Sequence, residues 1–211
     1  MPIREGIILD PTVFVHPMAL VDTAHVGPRT RVWPFAHLME GARVGSDCNI
    51  CEGVFVEGMV VIGDAVTVKN GVALFDGVTI EDEVFIGPQA VFTNDLRPRA
   101  GRMKHSHEDW LATRVRRGAS IGANVTIVCG STVGEYAMIA AGAVVTHDVS
   151  SYALMAGVPA RFKEWVCACS RSLPATLACT CGRFYEAGAR GLVERFADEP
   201  KTLRGQGTVE T

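Results

Sequence analysis

Four thiols stand close together near the end of the chain: Cys167, Cys169, Cys179 and Cys181. Two pairs of sulfur donors form the ligand set of a structural tetrahedral metal site. The usual knuckle is C-x-x-C, and both pairs here are C-x-C, which departs from that spacing. The chain carries seven Cys, an odd number, so reduced thiols or metal ligands are expected rather than a disulfide frame. A second group is cationic. Between Phe92 and Val115 come Arg97, Arg99, Arg102 and Arg114, with Lys104, His105, His107 and Trp110. That set suits an anionic ligand. Asn94 opens the same stretch, and His37 and Asp76 supply titratable groups upstream.

What positions these groups is a repeat of six. An aliphatic or aromatic residue returns at Val26, Val32, Leu38, Val44, Ile50, Val56, Ile62, Val68, Leu74, Ile80, Ile86 and Phe92. The series breaks, then resumes at Val115, Ile121, Ile127, Val133, Ile139 and Val145. With 48% apolar residues, chance would fill all 18 positions with a probability on the order of 10⁻⁶. A small or branched residue follows four later, as at Cys48, Val54, Val60, Val66, Val72, Val78, Val84 and Ala90. Such a hexad reads as a short strand plus a turn. Three make a triangular coil, and stacked coils bury what one coil cannot. Gly27, Gly45, Gly63, Gly87, Gly122 and Gly134 follow the large residue, where a tight bend is expected. Upstream the pattern loosens: Val15 and Val21 fit, but Val21 to Val26 is one residue short. In this frame His37 and Asp76 point away from the core. Residues 93–114 form an inserted loop, residues 166–199 a Cys-containing tail, and residues 200–211 are expected to be disordered.

Composition bounds the rest. A net charge of -3 gives no basic field for nucleic acid. No run of 18 apolar residues and no signal-peptide layout appear, so a cytoplasmic protein without membrane insertion is expected. Gly is abundant and aromatics are few, which favours a turn-rich all-β architecture.

At the end of the repeat stands AAGAVVTHDVSSYALMAGVPARFKEW, with Ala156-Gly157-Val158-Pro159-Ala160-Arg161 closing it. From residues 12 to 166 the chain resembles the hexapeptide-repeat acyltransferases. The resemblance implies a left-handed parallel β-helix of six to seven coils, a homotrimer, and acyl-CoA lying in the groove between subunits. The stretches VHPMALVD, RVWPFAHLMEGARVG and LFDGVTIEDEVFIGPQAVFTN are similar to nucleotide-sugar amine N-acetyltransferases. The nearest group acetylates the 3-amino group of a UDP-2-acetamido-3-amino-2,3-dideoxy-glucuronate for surface polysaccharides such as lipopolysaccharide. Enzymes acting on dTDP-3-amino-3,6-dideoxyhexoses are an alternative.

The acyl transfer to an amine that the resemblance implies, read with the hexad positions, suggests roles. Asn94, Asp76 and His37 would be catalytic, positioning sugar and thioester or holding the amine's proton. Glu57, Lys69, Asn70 and Phe75 would contact the substrate, and Arg97 its diphosphate or carboxylate. Gly122, Ala123, Ala140, Ala141 and Gly142 would admit the pantetheine arm of acetyl-CoA, and Arg161 and Lys163 its phosphates. The thiol tail resembles a zinc ribbon, which would be structural. The same fold also hosts zinc lyases of the carbonic anhydrase type and non-catalytic assembly subunits. A lyase needs three converging His. Of His16, His25, His37, His105, His107 and His147, no outward pair stands five apart in the manner of such enzymes.

Overall fold

The computed structural model describes residues 2–100 and 110–195. Arg102, Lys104, His105, His107 and the segment 200–211 lie outside the described residues.

Each repeat closes a strand of two or three residues, such as Arg31–Val32, His37–Leu38 and Arg43–Val44. The first residue of the pair faces outward and the second is buried, because side chains alternate along a strand. Strands of the same kind stack in parallel, 18 residues apart: Val44 pairs with Ile62 and Ile62 with Ile80. The result is three sheets of nine, seven and five strands, the faces of a left-handed β-helix of about seven turns. No helix occurs among the described residues, so none is long and apolar enough to cross a membrane.

All 18 row residues are buried, none more than 6% exposed, and so are the eight smaller partners from Cys48 to Ala90. The core is therefore a stack of aliphatic rows along the axis. Buried Thr30 fits because its hydroxyl donates to the Gly45 carbonyl at 2.7 Å and accepts the Cys48 N–H at 3.1 Å.

Two of the edges turn on left-handed residues. Arg29, Asp47, Ala65, Glu83, Gly118 and Tyr136 occupy one, and Phe35, Gly53, Gly71, Gln89, Asn124 and Gly142 another, all with φ between +52° and +72°. The glycines that follow the row residues have a different reason from the expected bend. Gly27, Gly45, Gly63, Gly87, Gly122 and Gly134 lack positive φ. A Cβ on Gly45 would lie 2.5 Å from the Gly63 carbonyl oxygen, and one on Gly134 would lie 2.4 Å from the Ser151 N–H nitrogen. These glycines let adjacent coils approach.

Three irregularities bend the frame. The first coil is a residue short, pairing Phe14 with Arg31 and Val21 with Leu38. The insertion separates Ile80 from its partner Val115 by 35 positions rather than 18. Its return strand, Thr113–Val115, already contains Arg114, which lies 3.6 Å from Glu81. Arg114 thus belongs to the five-stranded face and not to the loop cations. At the far end Ile139 pairs with Met155, and the hairpin Ala153–Ala156/Arg161–Trp165 turns back antiparallel and ends the coil. Beyond it, a second hairpin, Phe184–Gly188/Gly191–Arg195, docks on the last coil through a Ser151–Gly191 bridge.

Candidate active site

The edge between the seven- and five-stranded faces is where the loop emerges. Glu57 and Phe75 hold equivalent places on successive coils there, and so do Asp76 and Asn94. Each coil step is about 4.8 Å. Glu57 Oε2 accepts the Asp76 N–H at 2.7 Å, and Asp76 Oδ1 accepts the Met59 N–H at 2.7 Å. Each carboxylate thus spends one oxygen holding the edge and keeps another for a ligand. Asn94 is half-buried and its carbonyl accepts the Leu111 N–H at 3.1 Å, which ties the two ends of the loop together. The neighbouring Thr93 hydroxyl takes the Cys129 N–H at 3.0 Å. Asn94 therefore sits at a fixed neck. Arg97 is an exposed residue just beyond it, its N–H held by Asp95 at 2.7 Å.

His37 is on the same seven-stranded face but three strands toward the start, reached through Phe55 and Ala73 from Val91. Three steps are about 14 Å, so within one chain His37 and Asn94 stand well apart along the axis. The imidazole Nε2 lies 3.0 Å from Asp22 Oδ2, and the ring packs edge-on against Phe55 at 5.6 Å, with Phe75 a further 6.3 Å along. Asp22 was not evident from the repeat, because the short first coil breaks the register that would align it with His37. The period of the later coils, carried back with a 17-residue step, could have found it.

Lys69 and Asn70 are on the opposite edge of that face. With Trp33, Pro34, Asn49, Cys51 and Glu52 they line a cleft of about 390 Å³. Trp33 is 38% exposed, and its indole N–H donates to Asn49 Oδ1 at 2.7 Å, fixing the ring with one side open. Burial raises the Cys51 thiol above its usual range, with Lys69 opposing the shift.

A one-chain reading therefore yields two groups on two edges. Gly122, Ala123, Ala140, Ala141 and Gly142 continue the cleft's edge toward the later coils, with Ala141 and Gly142 exposed. Arg161 and Lys163 project from the closing hairpin nearby, both exposed. Small residues and exposed cations there fit a long phosphorylated thiol ester.

Comparison with known proteins bears on this arrangement. The family described as bacterial transferase hexapeptide (six repeats) matches residues 23–58 and 112–147. A dTDP-3-amino-3,6-dideoxy-α-D-galactopyranose 3-N-acetyltransferase of Aneurinibacillus thermoaerophilus is 49% identical over 188 residues, 88% of this chain and 96% of that one. The chain belongs to the hexapeptide-repeat transferase family. Two solved relatives agree in fold. A hexapeptide-repeat acetyltransferase of Vibrio cholerae, complexed with acetyl coenzyme A, is 26% identical with a TM-score of 0.50, over 60% of this chain and 71% of that one. A galactoside acetyltransferase in complex with coenzyme A is 25% identical with a TM-score of 0.52, over 60% and 66%.

One further cluster of this hexapeptide-repeat transferase lies apart from both edges. The Sγ atoms of Cys167, Cys169, Cys179 and Cys181 all lie within 4.8 Å of one another. Among the described residues this is the one gathering of three or more metal-ligating side chains. No trio of His does so there, and the lyase reading finds no support among the described residues.

Proposed function

We propose that this protein is an acetyl-CoA-dependent N-acetyltransferase acting on the 3-amino group of a dTDP-linked 3-amino-3,6-dideoxyhexose. The near-full-length likeness to an enzyme named for that reaction carries the proposal. The UDP-glucuronate reading suggested by the motifs gives way to its alternative. The edge chemistry supports the change: positions 57, 58, 75, 76, 93 and 94 hold two carboxylates and no cation. An amine on the sugar would be drawn in there, and a carboxylate would have to be met from outside the edge, by Arg97 beyond the neck.

The chemistry asks little of the protein. The amine nitrogen attacks the thioester carbonyl, the C–N bond forms, the C–S bond breaks, and the proton leaving nitrogen balances the thiolate released. A ring amine with a pKa near about 8 is roughly one-tenth neutral at pH 7, a cost of about 1.4 kcal/mol. That is too small to require a strong base. Asn94 supplies an amide N–H to the developing oxyanion, a contribution of about 3–4 kcal/mol in comparable sites. Asp76 and Glu57 orient the amine and neighbouring hydroxyls. The sugar nucleotide then runs toward the earlier coils, with His37, held by Asp22, contacting it away from the reacting centre. Trp33, Lys69 and Asn70 of a neighbouring copy meet the base and diphosphate, and acetyl-CoA descends along the later coils. A homotrimer supplies such paired edges, and sugar nucleotides of this type feed surface glycans from the cytoplasm.

A thiol-release assay with acetyl-CoA tests the reading against a panel of dTDP- and UDP-linked amino sugars. The dTDP-3-amino-3,6-dideoxyhexose should give the highest kcat/KM. A faster UDP-uronate would overturn the sugar assignment. Thiol release with no sugar of the panel, together with no calorimetric binding of acetyl-CoA, would overturn the activity.

A further inference from the structure

The two thiol pairs belong to a duplicated turn. The sequences Cys167-Ala168-Cys169-Ser170-Arg171 and Cys179-Thr180-Cys181-Gly182-Arg183 share the pattern C-x-C-[SG]-R. Their backbones match bond for bond. The Cys167 N–H donates to the Arg171 carbonyl and the Cys179 N–H to the Arg183 carbonyl, each at 2.8 Å. The Ser170 N–H donates to the Cys167 carbonyl at 2.8 Å, and the Gly182 N–H to the Cys179 carbonyl at 2.9 Å. Ser170 and Gly182 take the same left-handed conformation, φ +71° and +92°. The one-residue spacer therefore still yields two closed knuckles facing each other.

The sulfurs across the gap are 3.5 Å apart for Cys167 and Cys181, and 3.6 Å for Cys169 and Cys179. All four thiols are free. A tetrahedral tetrathiolate with metal–sulfur bonds of about 2.3 Å requires sulfurs about 3.8 Å apart, close to what is found. The knuckles also bring donors to the sulfurs. The Cys169 N–H points at Cys167 Sγ at 3.4 Å, and the Arg183 guanidinium lies 3.5 Å from Cys181 Sγ. These donors offset the negative charge that four thiolates around a divalent cation leave over.

The cluster is placed to hold a lid on the helix end. Tyr136 stacks on Tyr152 at 5.3 Å, and Tyr185 of the tail meets Tyr152 at 4.9 Å with a 59° tilt. The Tyr185 hydroxyl accepts the Ala168 N–H at 3.0 Å, inside the first knuckle. The Leu192 N–H reaches the Ser151 carbonyl at 3.2 Å, and the Ser151 N–H the Arg190 carbonyl at 2.9 Å. The tail's own buried set is small: Val166, Cys167, Cys179, Tyr185 and Leu192, with Tyr152 of the coil packed against the last four. So few side chains do not order a segment of this length without a staple.

We infer that Cys167, Cys169, Cys179 and Cys181 bind one zinc ion, which clamps residues 166–195 as a cap over the last coil of the β-helix. Thiolate-only tetrahedral donors select zinc over magnesium, calcium or manganese. The metal is structural: four protein ligands leave no open position for substrate, and the site stands apart from the Asn94 edge. The inference holds whatever the sugar.

Elemental analysis of protein purified under reducing conditions should give one zinc per chain. Cobalt(II) exchanged into the site should show the visible absorption of a tetrahedral tetrathiolate. The Cys169→Ser, Cys181→Ser double variant should lose the metal while circular dichroism of the β-helix is kept. In wild-type protein stripped by a chelator, hydrogen exchange should rise across residues 166–195 and stay low along the aliphatic rows. Iron in place of zinc, four freely titrating thiols with no metal, a Cys–Cys disulfide by mass spectrometry, or zinc retained by the double variant would each overturn it. So would stripping that leaves exchange in the tail unchanged.

Discussion

Asn94 and His37 carry opposite expectations, and the coil spacing separates them. Asn94 stands at the neck where the loop leaves, held through its own carbonyl and through Thr93. In the proposed reaction, replacing it with Ala removes a donor whose value is realised only in the transition state. Asn94→Ala should cut kcat about 10²–10³-fold with KM little changed and the β-sheet signal intact. His37 is about 14 Å away along the axis. His37→Gln should therefore raise KM for the nucleotide sugar about tenfold, a loss of roughly 1.4 kcal/mol of contact, and leave kcat within a factor of two or three. The pH profile tells the same story with the sign fixed by the substrate. Deprotonation of the amine is what the reaction needs, so kcat/KM should rise with pH and level off above about 8. His37→Gln should keep that shape; a flattened rise would make His37 the proton acceptor.

The strands and edges that hold these residues rest on close stacking rather than on long elements. Gly45 shows how tight the stacking is, because a Cβ there would sit 2.5 Å from the Gly63 carbonyl oxygen, which belongs to backbone and cannot swing aside. Gly45→Ala should lower stability by about 1–3 kcal/mol, read as a drop in the thermal midpoint, although its φ is ordinary. The aliphatic rows behind such glycines were legible from the period alone, and every row residue from Val26 to Val145 is buried. The reason for the glycines was not legible, since a bend and a close approach leave the same residue in the sequence. Asp22 escaped for another reason. Its partnership with His37 crosses the one coil that is a residue short, where counting by 18 misaligns the chain. Glu57, Phe75, Asp76 and Asn94 could be placed on one edge by counting. Lys69 and Asn70 were grouped with them as substrate contacts and fall on the other edge, because they stand one hexad before Phe75 and Asp76, and one hexad advances a third of a turn. Trp33 and Asn49 complete that edge's cleft and were not singled out, since an exposed Trp inside a regular repeat carries no spacing signal of its own.

At the scale of the whole molecule, the separation of the two edges decides how the protein must work. The seven-stranded face presents Leu20 and Val91, 41% and 48% exposed, with the aromatic Phe55 between them. That is apolar surface suited to a second copy of the chain. If copies pack in a closed ring, the Asn94 edge of one meets the Trp33–Lys69 edge of the next, and each site draws on two chains. Two variants then become complementary. Asn94→Ala destroys one edge, and the Trp33→Ala, Lys69→Ala double variant destroys the other. Each alone should be nearly inactive at substrate concentrations below KM. Co-expressed with different tags and purified through both, they form mixed trimers in which some interfaces pair the two intact edges. Each mixed trimer holds one whole site in its three, so activity should return to about one-third of wild type. Sedimentation should find three copies of the 22.6 kDa chain. Val91→Glu, which puts a charge into the shared face, should give monomers that keep the β-helix and lose turnover. Mixed trimers as inactive as their parents would mean that each site is built from one chain, and the two edges would then have to serve separate ligands.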